Sequence, residues 1–163
     1  MGRETPGPDE VQVARHDQEK DWSCGAAALR IFLSRFGMDR GVSESELFKL
    51  TGDTPQSGVT HEGLYKAMRA LGLNPYPREG ASLVELENLN LQGLPAIVDF
   101  QAEHGGHYAV VTAVKGGRVH IEDPKPGSGN HYTLDQDLFL RRWFNVPYGT
   151  KEKVSRWLMT VRQ

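Results

Sequence analysis

Residues 107–123 read HYAVVTAVKGGRVHIED. From His107 to Val114 the stretch is apolar on both faces, which describes a strand buried in the middle of a sheet. Lys115-Gly116-Gly117-Arg118 supplies a tight turn. Val119 and Ile121 then alternate with polar residues up to Asp123, so a second strand returns antiparallel. Pro124 and Pro126 stop the ladder, because proline has no N–H to donate. The register of this hairpin decides whether His107 and Asp123 can share a face. A two-residue turn pairs Lys115 with Arg118 and sets Asp123 opposite Val110, leaving His107 and Asp123 on opposite faces. One extra residue, in the loop or as a bulge, sets Asp123 opposite Ala109 and makes His107 its diagonal neighbour on the same face.

Upstream the period is helical. Gly25, Leu29, Phe32 and Phe36 form one stripe, with Ser23 or Asp21 available as cap and Gly37 as terminator. Ser43 with Glu46 makes a capping box flanked by Val42 and Leu47, and Ser82 with Glu85 repeats it. Thr60 caps a helix whose stripe is Leu64, Ala67, Met68 and Leu71, ending at Gly72. Residues 23–91 thus read as mostly helical. Pro95–Phe100 is a short apolar strand and Val11–Val13 hints at another. Downstream, His131–Thr133 reads as a strand, Asp135–Trp143 as a helix and Arg156–Val161 as a last strand. Helices first and an antiparallel sheet second predict an α+β fold, with the helical half packed on the sheet. Residues 1–10, polar and holding Pro6 and Pro8, read as a flexible tail, and 11–163 as one domain.

Composition narrows the function. A chain of 163 residues can bury roughly 70% of its unfolded surface without staples. Nineteen basic and 21 acidic residues, with pI near 6.3, argue against a broad nucleic-acid surface. No apolar run approaches the roughly 18 residues of a membrane helix, and no signal segment opens the chain. A single cysteine excludes an internal disulfide and any multi-cysteine zinc site, which points to a reducing cytoplasm.

That cysteine, Cys24, stands at the expected start of a helix, where free N–H groups and the dipole favour a thiolate. A packing cysteine would sit more naturally in the helix middle. A cysteine nucleophile needs a base, an orienter and an oxyanion site. Of six histidines, His107 opens the buried strand after Gly105-Gly106, and His104 on the other side of those glycines is its rival. His16, His61, His120 and His131 read as surface or structural. Asp123 ends the partner strand and is the candidate orienter; Asp-Pro is equally a common turn start. Gln18, six residues before Cys24, could aim its amide at the same point as the Cys24 N–H, and two donors are what acyl transfer needs.

The ordered set Gln18-x5-Cys24-Gly25-x-Ala27, His107-Tyr108-x-Val110-Val111 and Ile121-x-Asp123-Pro124-x2-Gly127 resembles the bacteriocin-processing, double-glycine cysteine peptidases, family 39. The resemblance covers roughly residues 11–162 and implies a papain-like fold. It implies Cys24 as nucleophile, His107 as base then acid, Asp123 as orienter and Gln18 as oxyanion donor. It further implies a peptide substrate, cut after Gly-Gly in a leader. Many such relatives are N-terminal domains of ABC exporters; this sequence has no membrane or nucleotide-binding segment, so a separate exporter is the implied partner. No cofactor and no metal ion are expected.

Two other classes stand beside this reading. One is a peptide-binding module or chaperone that keeps a catalytic-looking site; fast alkylation of Cys24 near neutral pH separates it from a peptidase. A related acyl transferase acting on a γ-glutamyl substrate shares the same chemistry. The other class is a metal protein using His104 and His107 with Asp123 or Cys24, although His-x2-His across Gly-Gly is not a helical ligand pair.

Overall fold

The structure, a computed structural model, describes residues 9–103, 105–126 and 130–162. Among these residues five helices and eight strands follow one another: α1 (Cys24–Ser34), α2 (Glu44–Thr51), α3 (His61–Ala70), β1 (Pro75–Arg78), α4 (Leu83–Leu91), β2 (Ala96–Ala102), β3 (Gly105–Lys115), β4 (Arg118–Glu122), β5 (His131–Asp135), α5 (Gln136–Arg142), β6 (Phe144–Asn145), β7 (Val154–Ser155) and β8 (Leu158–Val161). Six strands form one antiparallel sheet in the order β1-β8-β2-β3-β4-β5. β6 and β7 make a separate two-stranded ribbon.

The starts of α2, α3 and α4 follow the chemistry of their caps. The Ser43 hydroxyl accepts from the Glu46 N–H while the Glu46 carboxylate accepts from the Ser43 N–H, a complete capping box. Thr60 and Ser82 each accept from the third residue of their helix. Glu85 does not close a second box; its carboxylate binds Arg78 of β1 at 2.8 and 3.1 Å. The expected cap of α1 is also missing. Ser23 occupies the N-cap position without a side-chain bond to the helix.

The sheet is covered on both sides, as the double-faced apolar pattern of β3 requires. Helices α1 to α3 pack Leu29, Phe32, Leu64 and Met68 against Ile97, Val110 and Met159. On the other face α4 and α5 place Leu86, Phe139 and Trp143 over Val98, Val111 and Leu158. The helical half is therefore split: α4 crosses to the far side.

Three further expectations change. β1 is an additional strand. It holds Pro75 and Pro77 and sits at the sheet edge, where a missing N–H is tolerated. Val11–Val13 forms no strand, although the Val11 N–H donates to the Thr112 carbonyl at 3.0 Å. Of the expected tail, residues 1–8 lie outside the described residues. Asp9 and Glu10 are docked on the sheet through Lys115 and Thr112.

Gly25 shows why α1 can lie where it does. A Cβ built there would stand 2.5 Å from the Val59 Cβ, closer than real atoms approach. Val59 cannot yield easily, since Tyr108 donates a hydrogen bond to its carbonyl at 2.9 Å. Gly25→Ala is expected to destabilise the fold by about 1–3 kcal/mol through overpacking. A denaturant titration checks this; an unchanged midpoint would show that α1 has room to move.

Candidate active site

Cys24 is the first residue of α1. The turn before it is tied down at several points. The Ser23 hydroxyl exchanges hydrogen bonds with the Lys20 backbone, both 2.9 Å, and so faces away from the helix it could cap. The Glu44 carboxylate, buried at the start of α2, accepts the Glu19 N–H at 3.1 and 3.2 Å. No side chain caps α1 among the described residues, which leaves its first N–H groups open to a ligand beside the thiol.

His107 reaches Asp123 because the hairpin of β3 and β4 carries a bulge. The turn is the two-residue Gly116-Gly117, with Lys115 opposite Arg118. By itself that register separates the two side chains. Between Val111 and Ala113 the pairing slips by one residue, so Thr112 is the extra one and Val110 faces Glu122. Asp123 then falls on the His107 side. The His107 Nε2 lies 2.5 Å from Asp123 Oδ1, and both residues are buried.

Cys24 and the His107 ring line the same cleft, and with Nε2 on Asp123 the nitrogen left for the sulfur is Nδ1. Burial disfavours a charged imidazole here, but the hydrogen bond to Asp123 and the neighbouring Cys24 outweigh it and carry the His107 pKa up to about 9. Asp123 is held by more than the histidine. The Lys125 N–H donates to Oδ1 at 2.8 Å and the Tyr132 hydroxyl to Oδ2 at 2.6 Å. Burial and the neighbouring carboxylate push the Tyr132 hydroxyl pKa up, so it stays a donor. Asn130, at φ 57°, accepts the Asp123 N–H at 2.6 Å and closes the loop.

Gln18 is nearby in the chain path. Its N–H donates to the Pro124 carbonyl at 2.7 Å, next to Asp123. One amide hydrogen goes to the Lys20 carbonyl at 2.9 Å, while Oε1 is buried without a hydrogen bond among the described residues. Its side chain is not part of the cleft wall around Cys24. His104 and Gly127 lie outside the described residues.

Cys24 and His107 open into a cleft of about 280 Å³ walled by Trp22, Gly106, Asn145 and Tyr148. Val59, Tyr108, Asn145 and Tyr148 also line a larger groove of about 710 Å³ beside it. Between them stands a pair that no sequence motif singles out. His61 Nε2 is 2.9 Å from the buried Asp99, and the His61 ring stacks on Trp157 at 3.8 Å. Burial raises the Asp99 carboxyl pKa, against the opposing hydrogen bond from His61. The available signal was an aspartate inside the apolar run Ala96–Phe100. His16, likewise, is paired with Asp39 at 2.8 Å.

A helix that presents a cysteine at its N-terminus to a histidine on an antiparallel sheet defines the papain-like class. The Peptidase C39 family matches residues 12–152, and the chain belongs to it. Lactococcin-A transport/processing ATP-binding protein LcnC of Lactococcus lactis is 27% identical over 154 residues, 88% of this chain; the chain spans about a fifth (21%) of that relative's length. The fold matches a double-glycine motif protease from an AMS/PCAT transporter, solved with its leader peptide, at TM-score 0.70 and 20% identity, covering 94% of each chain. It matches the peptidase domain of Streptococcus ComA, a bi-functional ABC transporter of a quorum-sensing pathway, at TM-score 0.72 and 20% identity, covering 94% of this chain and 99% of that one. No helix among the described residues is long and apolar enough to cross a membrane.

Proposed function

We propose that this chain is a cysteine peptidase that cleaves an extended peptide through a thioester. The carrying observation is that Cys24, at a helix start, shares one cleft with a His107 held on the buried Asp123 at 2.5 Å. An imidazolium facing the sulfur favours the thiolate, the form that attacks. The thiolate adds to the scissile carbonyl carbon, and the negative charge moves to its oxygen. The Cys24 N–H at the uncapped helix start and the Gln18 amide receive that charge, once the amide turns from the Lys20 carbonyl. His107 gives its proton to the leaving amine, the C–N bond breaks and the acyl group stays on sulfur. A water then adds to the thioester carbon while His107 takes its proton, the C–S bond breaks, and the acid product leaves with the Cys24 thiolate restored. Asp123 keeps the ring oriented throughout and balances its charge.

Gln18→Ala is expected to lower kcat by about 10²–10³-fold with little change in KM, as for other oxyanion donors. An unchanged kcat with an unchanged melting curve would take Gln18 out of the mechanism.

The substrate reading is a leader peptide cut after Gly-Gly, in a reducing cytoplasm, with an ABC exporter downstream. Support comes from the relatives' own activities and from the narrow wall that Trp22, Asn145 and Tyr148 set beside the thiol. The test is a pair of peptides that differ only in the two residues before the cut, with products identified by mass spectrometry. Cleavage confined to Gly-Gly or Gly-Ala is expected. Equal rates after Leu-Lys would remove the double-glycine assignment, and binding without turnover would return the chain to the class of peptide-binding modules.

A further inference from the structure

Away from the cleft, a second group of titratable side chains gathers on the β4–β5 edge. His120 pairs with Thr133 and Glu122 with His131 across the two strands, so all four side chains share one face. Glu10, from the segment ahead of α1, comes down on that face. Its Oε1 lies 3.2 Å from His131 Nε2 and 3.4 Å from His120 Nδ1. One ligand atom from each of the three lies within 4.8 Å of the others.

The spacing is informative. Three histidine–carboxylate pairs elsewhere in the fold close to hydrogen-bond distance: His107–Asp123 at 2.5 Å, His16–Asp39 at 2.8 Å and His61–Asp99 at 2.9 Å. Those around Glu10 stay wider by several tenths of an ångström. A tetrahedral ion with bonds of about 2.0–2.1 Å to nitrogen and oxygen separates its ligands by about 3.3 Å. Two of the three edges have that length. His120 Nδ1 is buried and makes no hydrogen bond among the described residues.

The surroundings have the form of an outer ligand shell. The buried Glu122 carboxylate stands 3.4 Å behind His131, at Nδ1, the nitrogen turned away from Glu10. A carboxylate behind a ligating imidazole orients it and strengthens its donation. The Thr112 hydroxyl, on the bulge residue, donates to Glu10 Oε1 at 3.0 Å. We propose that Glu10, His120 and His131 bind a divalent transition-metal ion of the zinc type, with the remaining position left to water. The ion would staple the N-terminal segment to the sheet. That segment runs on to Gln18, whose N–H is already fastened to Pro124.

The test uses the full chain carrying Cys24→Ala, so that the thiol is not a competing ligand. After chelator treatment it is titrated with Zn²⁺ by calorimetry. One equivalent is expected to bind and to raise the melting temperature, and Co²⁺ is expected to give visible d–d absorption. Adding His120→Ala, the most accessible ligand with 16% of its side chain exposed, should weaken binding by about 100-fold or more and abolish the melting shift. Glu10→Gln should do the same while keeping the shape of the side chain, and serves if His120→Ala does not fold. His61→Ala should leave binding intact. Three results would overturn the proposal: no Zn²⁺ binding to the Cys24→Ala protein, binding unchanged by His120→Ala or Glu10→Gln, or binding lost with His61→Ala.

Discussion

Cys24→Ala is expected to abolish peptide cleavage, with a loss of about 10⁴–10⁶-fold in kcat. His107→Ala should cost about as much, and the double variant no more than either alone, because the two groups act as one unit. The reason lies in the geometry. Among the described residues His107 is the histidine that lines the Cys24 cleft, and in the proposed mechanism its imidazole supplies both the charge that favours the thiolate and the proton the leaving amine needs. Single-turnover kinetics on a Gly-Gly peptide measure the loss directly. Rapid alkylation of Cys24 by iodoacetamide near neutral pH should disappear in parallel when His107 is replaced. A His107→Ala protein that cleaves at the parental rate would end the mechanism.

Removing Asp123 should have the next largest effect. Asp123→Asn keeps the shape but not the charge, and a drop of about 10⁴-fold in kcat is expected if the orienter behaves as in other triads. Asp123→Ala should in addition lower stability by about 3 kcal/mol, because a buried partner of a buried histidine is lost. The pH profile gives a readout that a merely structural role would not move. In the parent, the His107 pKa is raised from 6.5 to about 9, so the imidazolium and its share of stability are fully present below about pH 6.5. Both are lost as pH rises through about 9. Activity should therefore decline on that alkaline limb. Without the Asp123 charge the limb should shift to lower pH, and the melting temperature should lose its fall between pH 6.5 and 9. An Asp123→Asn protein with the parental profile would show that Asp123 only shapes its loop.

Much of the fold was legible in local pattern. Ser43, Thr60 and Ser82 announce helices because a short side chain that accepts an N–H is needed at those ends, and all three do so. The double-faced apolar run of β3 required cover on both sides of the sheet, and α1 and α4 provide it. What failed to show locally has a physical cause in each case. β1 hides behind Pro75 and Pro77, which argue against a strand unless its edge position is known. The Ser23 cap fails because the Lys20 backbone competes for the same hydroxyl. His61 and Asp99 are 38 residues apart, and no spacing rule links them.

The sequence by itself determined the class of chemistry available: one cysteine at a helix start, a histidine opening a buried strand and an aspartate closing the next. It also determined that His107 and Asp123 could meet only if one residue were added to the hairpin. Whether that residue existed was decided by tertiary structure. Strand register has a period of two, so a slip of one residue moves every later side chain to the other face, and no local pattern marks where the slip occurs. Here it occurs at Thr112, whose carbonyl binds Val11 and whose hydroxyl binds Glu10. A contact spanning about a hundred residues thus accompanies the bulge that brings His107 and Asp123 to 2.5 Å. The same descent of the N-terminal segment sets Glu10 against His120 and His131, a meeting that only the folded chain can make.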